Sequence, residues 1–186
     1  MEITKNRYSF SQIPLTNEIV TTFDGKKLCC CLAKQPQKAD FIFFLHGYSN
    51  HIGYYENTMT WFFNQGYSVG IFDIRGHGES EGRRGYVDNF DTYSKDIVTV
   101  ISRQLDVCRP ISTTIVGHSS GGLMACYSLL AKNYHIKVDN IILCCPNIAR
   151  SNQTKIGKIK MTASRLINII YPYFYIKKPS FLPEKT

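Results

Sequence analysis

Residues 116–122 read VGHSSGG; an apolar run, TTIVG (113–117), leads into them and a helix-forming run follows. Gly117-His118-Ser119-Ser120-Gly121 fits the pattern G-x-S-x-G in one register only, since a shift by one would need glycine at position 118. Ser119 is therefore the central serine. A sharp turn from strand to helix strains its central residue and lifts the Oγ above the sheet edge, and small residues at 117 and 121 let the backbone pass closely. The helix start behind the serine offers unpaired N–H groups and the positive end of a dipole, both suited to a developing oxyanion. The backbone N–H of Ser120 is one candidate donor. Gly-Ser-Ser-Gly is also an ordinary flexible turn, but a strand before it and a helix after it favour a nucleophile.

Working outward, the chain alternates buried strands with helices. EIVTTF (18–23) and KLCCCLA (27–33) flank Asp24-Gly25, a strong hairpin signal. FIFFL (41–45) and SVGIFDI (68–74) are continuous apolar runs of the kind buried on both faces of a sheet. A helix is expected between them, from about Tyr54 to Gln65, stopped by Gly66. Phe90, Tyr93, Ile97, Val100, Ile101 and Leu105 keep helical spacing, with Asp88 or Asn89 as the cap. Another helix is expected from about Ser120 to Lys132, and NIILCCP (140–146) reads as a further buried strand. This order predicts a mostly parallel sheet with helices on both faces and an N-terminal antiparallel hairpin. With no strand predicted after it, 140–146 becomes an apolar edge, so the isolated chain is expected to aggregate.

The loop after FIFFL carries His46-Gly47-Tyr48. Gly47 is expected to permit an unusual backbone conformation, and the N–H of Tyr48 to point at the developing charge as a second oxyanion donor. His-Gly could equally end a strand and do no more.

Charge is spread unevenly along the 186 residues, whose net charge is +8. From Arg150 onward eight basic residues face a single acid, Glu184, which leaves the preceding body near neutral. Ile156, Ile159, Ala163, Leu166, Ile167 and Ile170 share one helical face in this region, and Pro172 ends or kinks it. Contact with an anionic membrane surface and simple solvation both suit such a segment. Nucleic acid ranks lowest, since no nucleic-acid motif accompanies the charge. The seven cysteines (29, 30, 31, 108, 126, 144 and 145) lie mostly in apolar runs without C-x-x-C spacing. They read as free, buried thiols in a reducing compartment, which predicts a cytoplasmic protein, peripheral at membranes if the basic end binds lipid. No signal peptide and no spanning helix are apparent, and no cofactor or metal is expected.

Three motifs in order, FFLHGYSNHIGYY, FDIRGHGESEG and IVGHSSGG, resemble the α/β-hydrolase fold. More narrowly they resemble the monoacylglycerol lipase, lysophospholipase and serine aminopeptidase-like (S33-type) group. The resemblance runs from about residue 18 to the end. It implies Ser119 as nucleophile, the N–H groups of Tyr48 and Ser120 as oxyanion donors, and support from His46, Gly47, Gly117, His118 and Gly121. It also implies that Asp73, Arg75, Gly76, His77 and Gly78, matching D-x-R-G-H-G, are mainly structural and lie near the site. Two positions depart from the group: that of Tyr48 is usually small, and that of Ser120 is often methionine or glutamine. A bulky Tyr48 would reshape the acyl pocket.

A serine nucleophile needs a base and an orienting acid, which in this fold follow it in chain order. After Ser119 come one histidine, His135, and two acids, Asp139 and Glu184. His135 and Asp139 fall at the wrong end of the sheet. His46 and His77 belong to upstream loops, and His118 points to a different side from Ser119. The triad acid and base are thus expected to be absent from the chain, which reads as the N-terminal part of such a protein. Residues 1–149 would be the first part of the core and 150–186 the start of a basic amphipathic cap. The activity expected is hydrolysis of a carboxylic ester, best a monoacylglycerol or lysophospholipid, through an acyl-enzyme on Ser119. A catalytically incompetent fragment or pseudoenzyme and an S33-type aminopeptidase remain the alternatives. Oligomeric state is open.

Overall fold

The computed structural model describes residues 8–130 and 136–147. The predicted cap segment and His135 lie outside the described residues. Six strands form one sheet: β1 (Thr16–Thr21), β2 (Lys27–Ala33), β3 (Phe41–Leu45), β4 (Ser68–Phe72), β5 (Thr113–His118) and β6 (Asn140–Cys144), in the order β1-β2-β4-β3-β5-β6. β1 and β2 form the antiparallel hairpin around Asp24-Gly25, and β2 also runs antiparallel to β4. The pairs β4–β3, β3–β5 and β5–β6 are parallel.

Three helices make the crossovers: α1 (Glu56–Asn64), entered through a 3₁₀ turn at Ile52–Tyr55, α2 (Phe90–Cys108) and α3 (Ser120–Leu130). The Asn89 side chain caps α2 by accepting from the Asp91 N–H. Strand alternation then sorts the core into two layers. Phe41, Phe43, Leu45, Phe72 and Ile115 pack with Ile97, Val100 and Ile101 of α2 and Met124 of α3. Ile42, Phe44, Val69 and Ile71 face the other way, onto Met59 of α1 and onto Phe10 and Ile13 of the N-terminal arm. Every residue of β3 is buried, as its unbroken apolar run requires.

Two expectations about burial need correction. All five residues of β6 are exposed, and one of its edges is unpaired among the described residues. Cys144 and Cys145 are likewise exposed thiols, whereas Cys29, Cys30, Cys31 and Cys108 are buried as expected.

The topology decides where a site can form. From β3 the chain crosses through α1 to β4 on one side, while β5 pairs on the other side of β3. Loops leaving the carboxyl ends of β3 and β5 therefore diverge and leave a crevice, the usual place for a ligand in an open α/β sheet.

Candidate active site

Ser119 stands between the end of β5 and the start of α3, with φ at 53°. A left-handed backbone costs a non-glycine residue about 1–2 kcal/mol, so surrounding bonds must hold it there. They are present on both sides. The Ser119 N–H donates to the Cys144 carbonyl at 2.9 Å, and the Ser119 carbonyl accepts from Gly122, Leu123 and Asn147. The end of β6 thus braces the turn. Ser120 opens α3, so its N–H lies in the first turn, where no earlier turn of the helix offers an acceptor.

The glycines of the motif are required for space. A methyl group at Gly121 would run into the carbonyl oxygen of Leu45, and one at Gly117 would come within 2.6 Å of the Gly122 α-carbon. Helix α3 therefore starts almost in contact with the end of β3. Gly47 corrects the expectation about its backbone: its φ is not positive, and Ser49 is the loop residue in the left-handed region, at 64°. What Gly47 provides is proximity. A Cβ there would lie 3.0 Å from His118 Nδ1 and 3.3 Å from Ser119 Cβ. The loop after β3 is thus pressed against the candidate nucleophile.

His46 fixes that loop from within. Its Nδ1 lies 2.8 Å from the Gly47 carbonyl, and its Nε2 accepts from the Ile74 N–H at 2.9 Å. Since the carbonyl only accepts, Nδ1 carries the proton and both ring nitrogens are engaged. Burial pushes the imidazole down to about 4, so the ring is neutral at physiological pH. His46 has no lone pair left for Ser119. His118 is the residue before Ser119 on the elbow. With Tyr54, Tyr55, Asn50 and Cys144 it lines an open recess of about 290 Å³ on the α1 side of the sheet.

The loop after β4 is knitted to its surroundings as the resemblance implies. Asp73 is fully buried and accepts from the Ile52 N–H (2.8 Å), the Glu79 N–H (2.7 Å) and the Tyr8 hydroxyl (2.7 Å). Burial raises its carboxyl above the ordinary range against the pull of those donors. Arg75 is clamped between Asp96 of α2 and Asp24 of the hairpin turn, with nitrogen–oxygen distances of 2.6–2.9 Å. Gly76 and Gly78 both have positive φ, and a Cβ at Gly78 would strike the Asp73 carboxylate. Tyr48 turns its ring outward onto this loop: it is 59% exposed, packs on His77 and reaches toward the Gly85 carbonyl.

Asp139 lies where the sequence places it. Its carboxylate accepts from the Thr113 N–H, at the opposite end of β5 from Ser119. The Tyr8–Asp73 bond and the Asn147 brace were missed by sequence reasoning. A buried aspartate in a loop motif does signal that donors must converge on it, but not which ones.

Fold and elbow together define the class as an α/β-hydrolase. The chain belongs to the Hydrolase_4 family, described as serine aminopeptidase, S33, whose model matches residues 36–184. It is similar to the monoglyceride lipase of Rattus norvegicus, 26% identical over 150 residues that make up 80% of this chain and 48% of that protein. Phospholipase YtpA of Bacillus subtilis is 28% identical over 131 residues, 70% of this chain and 49% of its own. Among solved structures, a soluble variant of monoglyceride lipase from Saccharomyces cerevisiae in complex with a substrate analog aligns with a TM-score of 0.72 at 21% identity, covering 89% of this chain and 55% of that one. The chain spans about half the length of these relatives.

Proposed function

We propose that this chain carries the nucleophile-bearing half of a serine hydrolase of carboxylic esters, with a monoacylglycerol or lysophospholipid as substrate. The observation that carries the reading is Ser119 held at positive φ between β5 and α3, with Gly47 packed against it. In this reading the Ser119 oxygen attacks the ester carbonyl carbon as its proton passes to a base. The N–H groups of Tyr48 and Ser120 stabilise the oxyanion, the alcohol leaves with a proton, and water then releases the acid from the acyl-enzyme. Among the described residues His46 is fully engaged, and no histidine is hydrogen-bonded to Ser119. The acid and base are therefore assigned to sequence other than these residues.

The names of the relatives support lipid esters as the substrate class. The basic residues from Arg150 onward suit anionic headgroups, which predicts tighter binding to vesicles containing anionic lipid than to neutral ones. No helix among the described residues is long and apolar enough to cross a membrane. The family description keeps an aminopeptidase as the second reading. Release of fatty acid from monoolein and lysophosphatidylcholine, set beside release of amine from aminoacyl amides, separates the two. Turnover of the esters alone supports the proposal; turnover of the amides alone reverses it. No turnover of either leaves a non-catalytic remnant.

A further inference from the structure

The loop after β4 holds a nitrogen that this reading does not use. His77 is only 6% exposed. Its Nδ1 lies 3.1 Å from the Arg75 carbonyl. A carbonyl only accepts, so Nδ1 carries the proton and the neutral ring keeps its lone pair on Nε2. That Nε2 is buried and meets no hydrogen-bond partner among the described residues. A buried acceptor without a donor is costly, and one that persists calls for a donor from outside the described residues.

The surroundings say from which side a donor would come. The His46 ring lies 5.4 Å from His77 at 63°, and the Tyr48 ring lies 5.4 Å away at 80°. His46 is wholly buried, whereas Tyr48 is 59% exposed, so the approach from solvent is on the Tyr48 side. Among the described residues the Tyr48 hydroxyl is held there by a 3.5 Å contact with the Gly85 carbonyl. Tyr48 directly follows Gly47, the residue pressed against Ser119. The nest around Nε2 is thus one residue along the chain from the backbone that flanks the candidate nucleophile.

We propose that His77 Nε2 accepts a hydrogen bond from a free hydroxyl on the alcohol portion of the substrate, admitted as the Tyr48 ring moves aside. The inference rests on the ester-hydrolase reading and sharpens it. A nitrogen that can only accept favours esters of polyols, whose remaining hydroxyls donate, over esters of simple alkyl alcohols, which have none to offer.

Two measurements test it in the full protein. The first is the ratio of kcat/KM for a monoacylglycerol to that for the methyl ester of the same acid. His77→Phe removes the acceptor and is expected to lower this ratio about tenfold; His77→Gln, which keeps an acceptor oxygen, is expected to recover part of it. A ratio unmoved in both variants overturns the proposal. The second is ring-nitrogen NMR of ¹⁵N-histidine-labelled wild-type protein, which needs neither turnover nor a folded variant. The His77 Nε2 resonance is expected in the range of a free, unprotonated nitrogen and should move toward the hydrogen-bonded range as glycerol is added. An Nε2 that is already hydrogen-bonded and indifferent to glycerol means a held water, and an Nε2 that bears the proton means the reverse tautomer; either result overturns the assignment. If neither ester is hydrolysed, the hydrolase reading fails by itself and the resonance alone decides the hydroxyl site.

Discussion

Ser119 occupies a backbone conformation that glycine would adopt without steric cost. Ser119→Gly is accordingly expected to stabilise the fold by up to about 1 kcal/mol, the strain relieved less the extra entropy of an unfolded glycine. It should do so while removing every reaction at the serine. A thermal melt beside an activity assay checks both, and a destabilised Ser119→Gly would mean that the elbow holds no strain. His46 makes a second prediction at this scale. Its folded value, about 4, lies below its ordinary 6.5, so its contribution to stability is complete above pH 6.5 and is lost as pH falls through about 4. The loss amounts to about 3 kcal/mol at the acid end. Urea unfolding between pH 7 and pH 4 should show it. In His46→Gln, which has no titrating group, the slope should flatten.

At the level of elements, the loop after β4 is the joint of the structure. Arg75 ties α2 to the β1–β2 turn, and Asp96 is 1% exposed in its side chain. Removing one partner of a buried pair strands the other, so Asp96→Ala is expected to cost about 3 kcal/mol in urea unfolding. Strand β6 presents the opposite case. Ile141, Ile142 and Leu143 are 41%, 51% and 37% exposed on an edge with no partner among the described residues. Unpaired apolar edges recruit other chains. Ile142→Lys should reduce light scattering of the isolated chain while shifting its stability by no more than about 0.5 kcal/mol; undiminished aggregation would place the sticky surface elsewhere.

These same elements show what was legible in the sequence. Buried runs such as FIFFL, and the Gly117–Gly121 spacing, encode local structure directly, so strands, helices and elbow among the described residues could be placed within about three residues. Exposure of β6 was not legible, since an apolar run looks the same whether or not a neighbour covers it. Nor was the reason for Gly47, whose constraint comes from Ser119, far away in the chain. The Asp24–Arg75–Asp96 clamp joins residues 51 and 21 positions apart, and no local pattern announces such pairs.

For the molecule as a whole, the described residues assemble a strained serine, two candidate oxyanion donors and a buried frame that fixes both. No histidine among them is hydrogen-bonded to the serine, and the chain spans about half the length of its curated relatives. Chemistry at Ser119 is therefore the claim on which the rest depends. The direct measurement is labelling with a fluorophosphonate, which reacts with activated serines, followed by mass spectrometry to find the modified residue. The protein is expected to be labelled at Ser119 in its complete form, and labelling should vanish in Ser119→Ala. Labelling that persists in Ser119→Ala, or a complete protein that the probe never modifies, would contradict the account.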